Sequence, residues 1–151
     1  MEAFYRTHQH LVEHTHAPIR RNLMDEIDWN DRLIGIKGTR GVGKTTFLLQ
    51  YAKEKFGSDR SCLYINMNNF YFSQCSLVTF AGEFVKKGGK VLLIDQMFKY
   101  PNSRNFIQRS TSLNATAYAS SSPPTSSYTE RFTIIQAAVT ALKSCVIFAL
   151  V

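Results

Sequence analysis

The chain has 151 residues, 44% of them hydrophobic, and a formal net charge of +7, which is enough material for one globular domain with a sizeable core and too little for a second. The basic balance bears on solubility and non-specific contact with polyanions, not on fold or reaction, so nucleic acid enters only as a secondary partner. Cys62, Cys75 and Cys145 are odd in number and widely spaced; they form neither a disulfide framework nor a Cys-x-x-Cys metal pair, and a reducing cytoplasm is the expected location.

The first residues include Glu2, Arg6 and His8 and lack the apolar run of a secretory signal. Residues 1–30 are expected to be a helical lead-in. His8, His10, His14 and His16 recur at i, i+2 spacings. Without cysteine or a flanking acid pattern, they are read as a solvated surface and not as a metal site.

Leu33–Lys37 is a short apolar run followed at once by glycines, which predicts a buried strand ending in a loop. From Thr45, Leu48, Leu49, Tyr51, Ala52 and Phe56 recur at helical spacing, and Gly57 stands where a left-handed cap would end the helix. Residues 62–67 predict a second strand. The aromatic run Phe70, Tyr71 and Phe72 is assigned to packing beside it and not to base stacking. Ser76 is expected to cap a helix with a buried stripe of Leu77, Phe80, Ala81, Phe84 and Val85. Lys86, Lys87, Gly88 and Gly89 close it, and the lysines there and at Lys90 complement its dipole. Val91–Asp95, four aliphatic residues and an acid, predicts a fully buried parallel strand that delivers a carboxylate at its end.

After about Asn102 the texture changes. Residues 110–129 are crowded with Ser, Thr, Ala and Pro, and Glu130 is the one acid between Gln96 and the last residue. Residues 132–151 are apolar again, but Lys143 would cost about 2.5–3.5 kcal/mol in a bilayer, and no membrane anchor is expected.

Gly38, Thr39, Arg40, Gly41, Val42, Gly43, Lys44 and Thr45 match the phosphate-loop pattern G-x-x-x-x-G-K-[ST]. The glycines let the backbone fold so that its N–H groups face the phosphates, and the helix that follows adds its positive end. Lys44 is expected on the β- and γ-phosphates and the Thr45 hydroxyl in the shell of a magnesium ion. Arg40 is expected to face solvent. Asp95, at the end of a strand beside the loop, is the natural second magnesium partner. The expected ligands are therefore ATP and Mg2+, with Lys44, Asp95 and Gln96 as the groups nearest the chemistry. Many P-loop ATPases carry a glutamate directly after this aspartate as the general base. The amide of Gln96 cannot take that proton, although it can hydrogen-bond a water.

These residues bring the chain close to a known group. Arg32 through Gly38, then Arg40-Gly41-Val42-Gly43-Lys44-Thr45-Thr46, the Leu-Tyr-Ile strand, and later Val91–Asp95 with Lys99-Tyr100-Pro101-Asn102 resemble the bacterial AAA-type predicted ATPases, whose ATPase module precedes an uncharacterised C-terminal domain. The resemblance covers roughly residues 2–102. It implies a three-layer α/β P-loop fold with a parallel sheet, ATP contacts at Gly41, Gly43, Lys44, Thr45 and Thr46, and magnesium support at Asp95. The family generally has glutamate where this chain has Gln96. It also continues, past Asn102, with a strand lying between the Asp95 strand and the P-loop strand.

The resulting expectation is a partial P-loop core over 31–102 that binds ATP with magnesium and hydrolyses it weakly or not at all. The alternative is a nucleotide-binding module or inert remnant with non-specific nucleic-acid contact. Residues 103–151 are expected to be an irregular tail, truncated or out of the ancestral reading frame, that leaves the centre of the sheet unfilled; the alternative is a divergent but genuine tail. The sequence carries no signal for oligomeric state.

Overall fold

The computed structural model describes residues 1–31, 33–100, 116–119 and 145–150. A five-stranded parallel sheet runs in the order β2-β3-β5-β1-β4. Its strands are β1 (Leu33–Lys37), β2 (Cys62–Asn66), β3 (Val91–Asp95), β4 (Thr116–Ala119) and β5 (Cys145–Leu150). Among the described residues five α-helices accompany it: α1 (Glu2–His14), α2 (Leu23–Glu26), α3 (Lys44–Lys55), α4 (Tyr71–Gln74) and α5 (Leu77–Lys86).

β2 and β3 are covered on both faces, and for that reason they read as near-continuous apolar runs. Side chains alternate between the faces along each strand. Leu63, Ile65, Leu92 and Ile94 point to one side and pack with Phe72, Phe80 and Phe84 from α4 and α5. Cys62, Tyr64, Val91, Leu93, Ile34 and Ile36 point to the other and meet Phe47, Leu48 and Tyr51 of α3. Each fully buried aromatic or aliphatic side chain here contributes about 1.5–3 kcal/mol.

The helix ends follow local chemistry. Ser76 accepts a hydrogen bond from Val78 N at 3.3 Å and caps α5. A second free N–H of that first turn, on Leu77, is taken by the Tyr100 hydroxyl at 3.1 Å, so the segment that follows the Asp95 strand helps to start a helix on the sheet's face. Of the predicted stripe, Leu77, Phe80, Ala81 and Phe84 are buried and Val85 partly so. Gly57 adopts φ 56° just past α3, as a left-handed cap requires. Two boundaries shift by one residue: α3 begins at Lys44 and β2 ends at Asn66.

α1 passes the outer edge of β2. Its Tyr5 belongs to one core cluster and its Val12 to the other. His8 lies between them, buried, its Nδ1 accepting the Tyr64 backbone N–H at 3.1 Å. A solvated surface was expected for His8. The amphipathic turn instead carries it inward, because an edge strand with open N–H groups needs a cover. His10 and His14 do stay on the exposed side and stack at 4.2 Å.

The centre of the sheet also differs from expectation. The next strand after Asp95, β4, does not enter between β3 and β1; it pairs with β1 at the far edge. β5 takes the central place, pairing in parallel with β1 on one side and β3 on the other. Its sequence Cys-Val-Ile-Phe-Ala-Leu is continuously apolar, as a strand paired on both sides requires, whereas the short Thr-Ala-Tyr-Ala segment of β4 suits an edge. Other parts of the expected tail lie outside the described residues.

Candidate functional site

The loop of residues 38–43 connects the buried strand β1 to the N-terminus of α3. Gly41 and Gly43 have φ 85° and 79°, left-handed conformations that side-chain-bearing residues rarely adopt. Gly43 is the N-cap of α3 and offers no side chain to satisfy the first amides of that helix. Those amides, together with the helix dipole, make this end of α3 suited to an anion.

Lys44 folds back over the loop: its Nζ donates to Gly38 O and Thr39 O, both at 2.7 Å. Partial burial pushes its pKa down, opposed by the Asp95 carboxylate. Thr45, the next residue, donates its hydroxyl to Asp95 Oδ2 at 2.7 Å. The same oxygen accepts the Tyr64 phenol at 2.8 Å, and Asp95 Oδ1 accepts Gln96 N at 2.8 Å. Burial, with the neighbouring carboxylate, holds the Tyr64 phenol protonated well above its ordinary range, so it acts as a permanent donor.

A cavity of about 510 Å³ opens over these groups, lined by Arg40, Gly41, Gly43, Lys44, Thr45 and Thr46 and closed opposite by Asp95, Gln96 and Lys99. Most of the sequence-predicted site residues thus converge. Gly38 and Thr39 stand back and contribute carbonyls to Lys44; Val42 is about one-third exposed. Arg40 is exposed, as expected, and still borders the cavity. Gln96 is held at φ 53°, the one positive value among the described non-glycine residues.

Three participants were not singled out from the sequence. Lys99 lines the cavity from the turn after β3. Tyr64 holds Asp95 by reaching along the β2–β3 pair, from the position opposite Leu93 to the end of that strand. A tyrosine in an otherwise aliphatic buried strand is itself a signal, because its hydroxyl needs a partner. Arg21 lies against Gly43, and no local pattern announces it.

The residues suit a nucleotide and a hard cation. The Thr45 hydroxyl spends its proton on Asp95 and keeps both lone pairs for a ligand. Among the described residues no three His, Cys, Asp or Glu side chains gather as a self-contained metal site. A cation here would be one held by few protein oxygens and completed by phosphate and water, which is the manner of magnesium.

A glycine loop between a buried parallel strand and a helix N-terminus, faced by a strand-end carboxylate, defines an α/β P-loop domain. The family described as AAA domain matches residues 30–137, well over half of the chain, and the chain belongs to that family. The match continues past Asn102, where the resemblance was expected to stop. No curated protein and no solved structure matches the chain. Among the described residues no helix is long and apolar enough to cross a membrane.

Proposed function

We propose that the chain binds ATP with magnesium in the loop of residues 38–45 and turns it over weakly or not at all. The observation that carries this is the convergence of Lys44, Thr45 and Asp95 on one cavity from elements far apart in sequence. Among the described residues the Lys44 ammonium is hydrogen-bonded by backbone carbonyls and forms no ion pair, so its charge is available to the β- and γ-phosphates. Gly41 and Gly43 shape the backbone cradle, and Thr46 lies at the start of α3 beside it. Thr45 would supply one magnesium oxygen directly, and Asp95 would support the ion through its water shell. The bound ion would neutralise charge developing on the phosphates.

Gln96 favours the second reading, a nucleotide-binding module without turnover. It stands beside Asp95 and lines the cavity, where a water would be activated, but offers an amide and no proton acceptor of useful basicity. Cys75, a free thiol among the described residues, fits a reducing cytoplasm as the place of action.

Titration with ATP, with and without magnesium, beside a phosphate-release assay separates the readings. Saturable magnesium-dependent binding that Lys44→Ala removes supports the nucleotide site; equal affinity in that variant overturns the role of Lys44. Binding without phosphate release places the chain among the modules that bind and do not hydrolyse.

A further inference from the structure

Arg20 and Arg21 are adjacent in the segment before α2 and are used differently. Arg20 is engaged by Asp25 and by Glu54 of α3, which fixes this segment along the outside of the P-loop helix. Arg21 has no hydrogen-bond or ion-pair partner among the described residues, and its guanidinium lies against Gly43. Its Nη2 is 2.5 Å, and its Cζ 3.5 Å, from where a β-carbon on that glycine would stand.

That placement is electrostatically wrong-signed in isolation. Gly43 caps α3, so the guanidinium sits at the positive end of a helix dipole, close to a loop that already carries Arg40 and Lys44. The described acid beside the cavity, Asp95, is committed to Thr45, Tyr64 and the Gln96 amide. A cation held there without a counter-charge is stabilised once an anion enters the loop. Arg21 is exposed and stands behind Gly43 without itself lining the cavity; the space left by the missing side chain of that glycine is where its planar fork of N–H donors would reach such an anion.

We propose that Arg21 is a phosphate-positioning residue. Its guanidinium donates to the polyphosphate held by the P-loop, and Arg20 anchors the strap that delivers it. The proposal rests on the nucleotide-binding reading above and adds to it a residue upstream of β1, outside the loop motif. It also ties occupancy of the loop to the segment joining α1 and α2.

The test uses the full chain and follows the single tryptophan, Trp29, which stacks on Tyr51 of α3 at 3.8 Å. The probes are ATP, inorganic tripolyphosphate and adenosine. Arg21→Ala should weaken both ATP and tripolyphosphate about tenfold, the scale of a lost hydrogen bond between charged groups. Arg21→Lys should recover part of the loss by keeping the charge without the fork. Arg20→Ala serves as the control, lowering the thermal midpoint if the anchor matters. An unfolding midpoint for Arg21→Ala equal to the parent's keeps a folding defect from imitating the result. Unchanged or tighter binding of tripolyphosphate by Arg21→Ala, beside a parent that binds it, overturns the phosphate role alone. Loss confined to ATP and adenosine also overturns it and moves Arg21 to the base. Failure of the parent to bind ATP or tripolyphosphate overturns the nucleotide reading and this proposal together.

Discussion

The hydroxyl of Thr45 and the carboxylate of Asp95 meet at 2.7 Å across fifty positions of sequence. One comes from the first turn of α3, the other from the last residue of β3, and Tyr64 clamps the same carboxylate oxygen from β2. Asp95→Asn removes the negative charge and leaves one oxygen to serve three donors. The expected outcome is a loss of about 1–3 kcal/mol of stability from the unmet bonds and about a tenfold loss of magnesium's effect on ATP affinity. Urea unfolding and paired titrations with and without magnesium measure the two separately. An unchanged magnesium effect would remove Asp95 from the cation site.

Gln96 occupies a left-handed backbone conformation beside that carboxylate, a conformation that costs a residue with a β-carbon about 1–2 kcal/mol. Two substitutions separate its backbone role from its chemistry. Gln96→Glu supplies a proton acceptor and is expected to raise phosphate release; a positioned general base contributes about a hundredfold or more. Gln96→Gly relieves the backbone and is expected to stabilise the fold without raising turnover. A Gln96→Glu protein that binds ATP and shows no gain would mean that further groups required for hydrolysis are missing.

Much of the frame was legible because its signals are local. Four aliphatic residues and an acid describe a strand buried on both faces, and the glycines around Lys44 together with the Ser76 cap act within a few residues of themselves. The missed relationships are all pairings between distant segments. Nothing near His8 says that a strand edge waits for its ring, and nothing near Arg21 says that Gly43 will lie beneath it. The strand order differs for the same reason: an apolar run such as β5 does not announce between which neighbours it pairs. Tyr64 was recoverable in principle, since a buried phenol needs a partner.

His8 makes stability depend on pH. Its Nδ1 accepts the Tyr64 N–H, so the proton of the neutral ring is on Nε2, which is buried and has no hydrogen-bond partner among the described residues. Burial lowers its pKa from the ordinary 6.5. The unfolded chain therefore takes up a proton at His8 at a higher pH than the folded one. The contribution of neutral His8 is fully present above pH 6.5 and is lost as pH falls from there towards the lower folded value. Urea midpoints measured from pH 8 to 5 should decline over the acid half of that range. In His8→Gln, which keeps an acceptor and does not titrate, the decline should be shallower. Equal slopes would show that His8 protonation is not linked to folding.

The last prediction concerns the centre of the sheet. β5 pairs Leu33↔Val146 through Lys37↔Leu150 with β1, and Val91↔Cys145 through Ile94↔Phe148 with β3, so its backbone is bonded on both sides. Among the described strands β4 is bonded to β1 alone. If residues 145–150 fill the centre, their amides open only with the whole domain, and their exchange should be as slow as that of Leu63 and Leu92 in β2 and β3. Residues 116–119, at an edge, should exchange faster. Removing residues 145–151 should leave β1 and β3 as two bare inner edges with costly unpaired N–H and C=O groups, and the shortened chain should fail to fold cooperatively. The competing expectation, a tail out of its ancestral frame that contributes no native strand, requires the opposite. Residues 145–150 would then exchange like unfolded chain while β2 and β3 stay protected, and their removal would leave the unfolding transition where it was.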